Sequence, residues 1–174
     1  MKPQPTLHLL FRQDEIQAVA RRLATEIKAD YLDKNPLLIG ILKGAFVFMA
    51  DLMRALNFPL EIDFVKLASY GSGTETCGVI DVLMDVSTPV RSRHVLVVED
   101  IIDTGRTTAY LLDCLRREQP ASLRLAVLLD KPSRREVEVE VDYRGFTVPN
   151  KFIVGCGLDW DEKYRYLPDI YYVE

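Results

Sequence analysis

Residues Val95 to Thr108, VLVVEDIIDTGRTT, decide how the chain folds and what it holds. The apolar run Val95–Val98 leads directly into adjacent carboxylates, Glu99 and Asp100. Ile101 and Ile102 follow, then a third carboxylate, Asp103, and the hydroxyl-and-glycine turn Thr104-Gly105-Arg106-Thr107. Beyond the turn, Leu111, Leu112 and Leu115 fall at helical spacing. A short apolar run bounded by polar residues marks a strand buried on both faces. In open parallel sheets, ligands sit outside the carboxyl ends of the strands, which is where Glu99 and Asp100 fall. Ionised carboxylates only accept hydrogen bonds, so a vicinal diol with its two donors is a natural partner. The first turn of the following helix leaves amide donors free and carries the positive end of the helix dipole. A phosphate suits that position, and Gly105 lets the backbone bend closely around it. The segment therefore predicts a phosphorylated ribose. An acidic surface loop with an ordinary N-cap would explain its elements singly, but not their conjunction in this order.

Elsewhere the chain alternates strand and helix. Gln13 to Leu32 is amphipathic, with Ile16, Val19, Ala20, Leu23, Ile27 and Tyr31 on one face. Leu37–Leu42 reads as a buried strand, Lys43-Gly44 as a tight turn, and Ala45–Leu56 as a helix with Phe46, Met49, Leu52 and Met53 inward. Leu60–Ala68 and Val79–Val86 read as strands around the glycine-rich loop Ser69–Gly78, and Leu123–Leu129 as another buried strand. Arg134–Asp142 alternates valines with charges and predicts an edge strand. Phe152–Val154 predicts a last short core strand, and LPDIYYVE a final strand, while the first dozen residues read as an extended lead-in. The pattern is that of an α/β fold: a parallel sheet of about five strands flanked by helices, with a small hood built from the chain ends. One domain over residues 1–174 is expected.

The 174 residues are 48% hydrophobic, enough for one well-buried domain, and the net charge of −4 argues against a nucleic-acid surface. Cys77, Cys114 and Cys156 are widely spaced, which suits neither a zinc site nor a disulfide framework and predicts a reducing, cytoplasmic setting. No secretory signal and no membrane-spanning run is expected.

VVEDIIDTGRT resembles the sugar-diphosphate signature of the type I phosphoribosyltransferases, and EDIIDTG is similar to the wording of their hypoxanthine-guanine members. The resemblance runs from about Ile16 to the C-terminus. It implies that Glu99 and Asp100 bind the ribose hydroxyls and that Asp103, Thr104, Gly105, Arg106 and Thr107 wrap the 5′-phosphate. LLIGILKGAF is similar to the family's pyrophosphate loop and implies that Lys43 and Gly44, with Arg165, hold pyrophosphate. DKP implies that Lys131 donates to a purine 6-oxo group. KFIVG implies that Phe152 stacks on the base, Ile153 pairs with its edge through its backbone, and Ile101 presses on the opposite face. Asp159 is implied near the purine and, with Glu99 and Asp100, at a Mg2+ ion. Asp103 is implied as general base, and Ser69 and Tyr70 as part of a lid. Trp160 and Cys156 stand where other aromatics are usual in the family. The implied reaction joins hypoxanthine or guanine to 5-phosphoribosyl 1-pyrophosphate, giving IMP or GMP and pyrophosphate. The implied assembly is a homodimer or homotetramer, with no nucleic-acid or membrane partner.

Overall fold

The computed structural model describes residues 5–69 and 80–174. The expected lid therefore lies outside the described residues, apart from the backbone of Ser69, which ends a strand. In chain order the elements are β1 (Leu7–Phe11), α1 (Gln13–Tyr31), β2 (Leu37–Leu42), α2 (Ala45–Leu56), β3 (Glu61–Ser69), β4 (Ile80–Met84), β5 (His94–Ile102), α3 (Arg106–Arg117), β6 (Ser122–Asp130), β7 (Tyr143–Thr147), β8 (Phe152–Val154) and β9 (Ile170–Val173). The central sheet has the order β4-β3-β2-β5-β6-β7. β3, β2, β5, β6 and β7 run parallel, and β4 is antiparallel at the edge.

Strand parity distributes the apolar side chains. Side chains alternate between the two faces of a strand. Leu38, Leu96, Val98, Ala126 and Leu128 therefore join α1 and α2 in one core. Leu37, Ile39, Val95, Val97, Leu125 and Val127 join Leu111, Leu112 and Leu115 of α3 in the other. With both faces covered, the strands must be apolar throughout, and only their ends can carry charge.

The helices follow their apolar spacing with small differences. α1 buries Ile16, Ala20, Leu23, Ala24, Ile27 and Tyr31, while Val19 is half-buried. In α2 the inward face is Ala45, Phe48, Met49, Leu52 and Leu56. Phe46, expected inward, is 47% exposed, because its helical angle from Phe48 and Leu52 turns it away from the sheet. Met53 is half-buried.

Two expected strands fall elsewhere. Residues 134–142 form no strand: Pro132–Arg134 is a 3-10 turn, and the amides of Glu136 and Val137 both donate to the carbonyl of Thr104, at 2.9 and 3.1 Å. The alternating valines pack instead as irregular chain, with Val139 and Val141 against the α3-side core. The sheet edge belongs to β7. β8, expected in the core sheet, lies in a separate antiparallel sheet of order β1-β9-β8, the hood. The lead-in residues 7–11 become β1 because β9 supplies a partner, Leu7 opposite Val173. The hood sits on the main body through stacked Phe11 and Phe146, with ring centroids 3.8 Å apart. No helix of the described residues is long and apolar enough to cross a membrane.

Asp63 of β3 clamps the chain that follows β4. Its carboxylate accepts the amides of Phe64 (2.7 Å), Ser87 (2.9 Å) and Thr88 (2.7 Å) and the Ser87 hydroxyl (3.0 Å). Burial alone would push this carboxyl up, but the amide donors outweigh it and bring it from 3.8 to about 2. A depressed folded-state value contributes stability that is full above 3.8 and lost as pH falls towards about 2. Asp63→Asn is expected to cost about 1–2 kcal/mol at neutral pH. Urea unfolding should show that the gap from the parent closes near pH 2; an equal gap at both pH values would remove the charge from the account.

Candidate active site

β5 delivers its acidic tip into the interior. Glu99 is 7% and Asp100 9% exposed. Glu99 Oε1 accepts the Asp100 amide at 3.2 Å, and Asp100 Oδ1 accepts the Ile101 amide at 2.7 Å. Burial pushes both carboxyls above the usual carboxylate range, and for Glu99 the neighbouring Asp100 charge adds to the effect. Such a pair needs donors or cations that its own chain only partly supplies.

Two glycines allow the flanking loops to reach this tip. Gly44 opens α2, and a Cβ there would lie 1.6 Å from Asp100 Oδ2. Gly157, at φ +94°, would place a Cβ 2.3 Å from the Gly44 carbonyl oxygen. The turn after β2 therefore closes on the end of β5, and the turn after β8 on the turn after β2, only because a glycine stands at each contact. The Leu42–Lys43 peptide is cis.

Residues 103–107 form the expected bend into α3. Gly105 sits at φ +82° as the N-terminal cap, with no side-chain cap bond. The first intrahelical bond runs from the Ala109 amide to the Gly105 carbonyl (2.9 Å), and the Arg106 amide donates to Thr104 Oγ1 at 3.4 Å, which leaves the amides of Thr107 and Thr108 available to an anion. The segment after β6 buttresses the bend from outside through the Thr104 carbonyl, and Arg106 pairs with Glu136 at 2.7 Å. The Arg106 guanidinium thus braces the loop against that segment.

A cavity of about 300 Å³ lies beside these groups. Its lining is Lys43, Gly44, Asp100, Ile101, Asp103, Lys131, Phe152, Ile153, Leu158, Asp159 and Arg165. Glu99 and the bend residues Thr104, Gly105, Arg106 and Thr107 are outside its lining. Adjacent strand residues face opposite ways, which places Glu99 behind Asp100. A larger cavity, about 510 Å³, lies between β3 and α3, but its described lining holds Asp85 and Glu118 and no lysine or arginine.

Within the smaller cavity the polar groups converge. Lys131 is only 6% exposed, and its Nζ stands 3.7 Å from Asp103 Oδ2. Arg134 Nε lies 3.3 Å from Asp103 Oδ1 without a directed hydrogen bond, so this solvent-shielded oxygen has no hydrogen-bond partner among the described residues. Phe152 is 54% exposed, unlike a core residue, with Trp160 behind it at 6.2 Å between ring centroids. Arg165 donates to the Gly157 carbonyl (2.8 Å) and pairs with Asp159 (2.8 Å). The sequence did not single out Arg134 or Glu162, whose carboxylate reaches both Lys43 and Arg165. Arg134 was hidden in a charged run. Glu162 was hidden between two singled-out residues, Asp159 and Arg165.

No three His, Cys, Asp or Glu side chains of the described residues cluster closely enough to hold a metal alone. The expected trio of Glu99, Asp100 and Asp159 is therefore not a preformed cage. Asp100 and Asp159 nevertheless line one cavity. Mg2+ needs only one or two protein carboxylates, taking its remaining oxygens from water and substrate phosphates. These two carboxylates fit that demand.

A cation-flanked carboxylate and a glycine bend at the ends of parallel strands, faced by an open aromatic from the hood, are what a transferase acting on sugar phosphates requires. The phosphoribosyl transferase domain model matches residues 10–161, and the chain belongs to that family. The chain is 48% identical over 162 residues to the hypoxanthine-guanine phosphoribosyltransferase of Streptococcus pneumoniae (strain ATCC BAA-255 / R6), covering 93% of this chain and 90% of that one. It is equally similar to the bifunctional protein TilS/HprT of Listeria monocytogenes serotype 4b, at 48% identity over 93% of this chain, but spans 25% of that protein's length. Among solved structures, a hypoxanthine-guanine phosphoribosyltransferase from Bacillus anthracis superposes with a TM-score of 0.91 at 37% identity, over 98% of this chain and all of that one. A ternary substrates complex of the Trypanosoma cruzi hypoxanthine phosphoribosyltransferase gives 0.89 at 40% identity, over 95% of this chain and 94% of that one.

Gly44→Ala should force the turn away from Asp100 and cost about 1–3 kcal/mol of stability. Binding of the sugar diphosphate should weaken with it, read by calorimetry. An alanine tolerated on both counts would show that turn and strand tip can part freely.

Proposed function

We propose that the chain transfers ribose 5-phosphate from 5-phosphoribosyl 1-pyrophosphate to hypoxanthine or guanine, releasing pyrophosphate and giving IMP or GMP. The observation that carries this reading is one cavity lined together by Asp103, the buried Lys131 and the exposed ring of Phe152.

The sugar's two ring hydroxyls donate to Glu99 and Asp100, the buried pair that needs donors. The 5′-phosphate takes the free amides of the bend 103–107 and the first turn of α3, with the Thr104 and Thr107 hydroxyls beside them. The pyrophosphate lies against Gly44 between Lys43 and Arg165. The base fits between Phe152 and Ile101, and stacking on a flat ring contributes about 1–3 kcal/mol without choosing among bases. Choice comes from the edge. Lys131 can only donate, so it suits a 6-oxo oxygen and disfavours the 6-amino donor of adenine.

As pyrophosphate leaves, positive charge develops on the ribose ring while negative charge builds on the departing oxygens, where Lys43 and Arg165 stand. Mg2+, held by Asp100 and Asp159 when bound, would neutralise part of the diphosphate charge. The Asp103 carboxylate accepts the purine N7 proton as N9 attacks, a contribution of about 10²–10⁴-fold for a well-placed base. Lys131 and Arg134 fix the carboxylate for that task. A lid over residues 69–78, with Ser69 and Tyr70, would exclude water from the cationic sugar. Kinship to the hypoxanthine-guanine enzymes also supports a homodimer or homotetramer working in the cytoplasm, and the exposed Val82, Leu83 and Met84 of edge strand β4 offer apolar surface for assembly.

The test is pyrophosphate release from the activated sugar with hypoxanthine, guanine, xanthine or adenine, with and without Mg2+. Release with either of the first two is expected; no release with any purine would end the proposal. Asp103→Asn should lower turnover at least tenfold, towards the factor of about 10²–10⁴ that a well-placed base contributes, while the sugar diphosphate still binds. Unchanged turnover would take the base role from Asp103. Lys131→Ala should impair 6-oxopurine use selectively, and an equal loss for adenine would make Lys131 a structural residue.

A further inference from the structure

The turn between Asp159 and Arg165 carries a carboxylate that the reaction as described leaves unused. Trp160 and Lys163 bridge through paired backbone bonds of 3.1 Å, with Asp161 and Glu162 as the central residues at φ +55° and +59°. Two left-handed central residues define a type I′ hairpin turn, a position that favours Asn, Asp or Gly and accommodates glutamate poorly. The side chain of Glu162 nonetheless makes specific contacts. Its Oε1 is 2.7 Å from Lys43 Nζ, its Oε2 is 3.3 Å from an Arg165 terminal nitrogen, and its amide donates to Asp159 Oδ2 at 2.8 Å. The Lys43 hydrogen bond, with a smaller part from Arg165, holds this carboxyl below its usual range, so it is charged at neutral pH.

We infer that Glu162 is a built-in stand-in for pyrophosphate: its carboxylate spans Lys43 and Arg165 until the incoming diphosphate takes its place. The inference rests on the proposed assignment of Lys43 and Arg165 to the pyrophosphate. The pairing brings together like charges that would otherwise repel, and an anion joining them shows the geometry an anionic substrate would use. With Glu162 in place, the two cations are balanced by Asp159 and Glu162. With it displaced, the seat carries net positive charge. The two partners differ in mobility. Arg165 is 21% exposed and pinned by Asp159 and the Gly157 carbonyl, whereas Glu162 is 64% and Lys43 49% exposed. Glu162 and Lys43 are therefore the members that part. Exposed ion pairs are weak and screened by water, so displacement is cheap enough to be reversible in every catalytic cycle.

Glu162 thus acts as a positioning residue and an internal competitor, and the experiment reads anion affinity. Glu162→Gln removes the charge; Glu162→Gly removes the side chain and suits the turn's backbone, which guards against a folding defect. Titration of inorganic pyrophosphate in the presence of Mg2+ should show binding tightened about two- to tenfold, the scale of one or two exposed ion pairs. KM for the sugar diphosphate should fall alongside, while KM for the purine stays in place. Affinity that is unchanged or weakened in both variants overturns the inference. Lys43→Ala and Arg165→Ala provide the separate check on the underlying assignment. If neither weakens pyrophosphate binding, the anion seat has been misplaced, whatever Glu162 does.

Discussion

Two neighbouring carboxylates buried at the tip of a central strand set the terms for the rest of this molecule. Glu99 and Asp100 end a run in which Val95 to Val98 are wholly inaccessible, and they retain less than a tenth of their own exposure. Burying like charges side by side is unfavourable unless donors or cations surround them. The fold answers by bringing three turns to that tip: Lys43-Gly44 after β2, the bend after β5, and Gly155-Cys156-Gly157 after β8. The first and third meet it without side chains, since a methyl group on Gly44 would occupy the place of an Asp100 oxygen. A stretch that is costly for the protein alone becomes a seat for a ligand that brings hydroxyl donors.

The charges around that seat are sorted by depth. Asp103 stands between Lys131, deeply buried, and Arg134, near the surface. A second group is Asp130 with Arg135 and Arg144; Asp130 is 3% exposed, accepts a hydrogen bond from Arg135 and is ion-paired with Arg144 at 2.8 Å. These pairs tie the chain after β6 to the sheet, and that chain in turn braces the phosphate bend through Thr104. Outermost are Lys43 and Glu162, exposed enough to exchange partners, beside the pinned Arg165. The buried pairs hold the deeper groups in position, and the outer pairs are screened by water.

Much of the site was legible because the residues that build it are contiguous with the strands that carry them. The segment 95–108 announced strand, acidic tip, bend and helix in one reading, and the structure keeps that order. Lys43-Gly44 and Lys131 were readable as strand-end residues for the same reason. The failures share a cause. The valines of 137–141 alternate as a strand would, yet the amides of Glu136 and Val137 found the Thr104 carbonyl, so no ladder formed. Phe46 satisfied the apolar spacing of α2 but sits on its outer side, a matter of where the sheet lies. Glu162 gave no signal at all, because its meaning depends on a lysine 119 positions earlier in the chain.

The amino-acid sequence by itself determined which strands are buried on both faces, where each acquires charge, and that a glycine bend leads from β5 into α3. Period and adjacency carry that information, and both are local. Only the tertiary structure decided that β8 joins the hood rather than the central sheet, that residues 134–142 form no strand, and that Asp103 keeps one oxygen shielded from water without a hydrogen-bond partner among the described residues. Those outcomes depend on which distant segment arrives within a few ångströms, and hydrogen-bond pairing and close packing are settled only when the whole chain has chosen its neighbours.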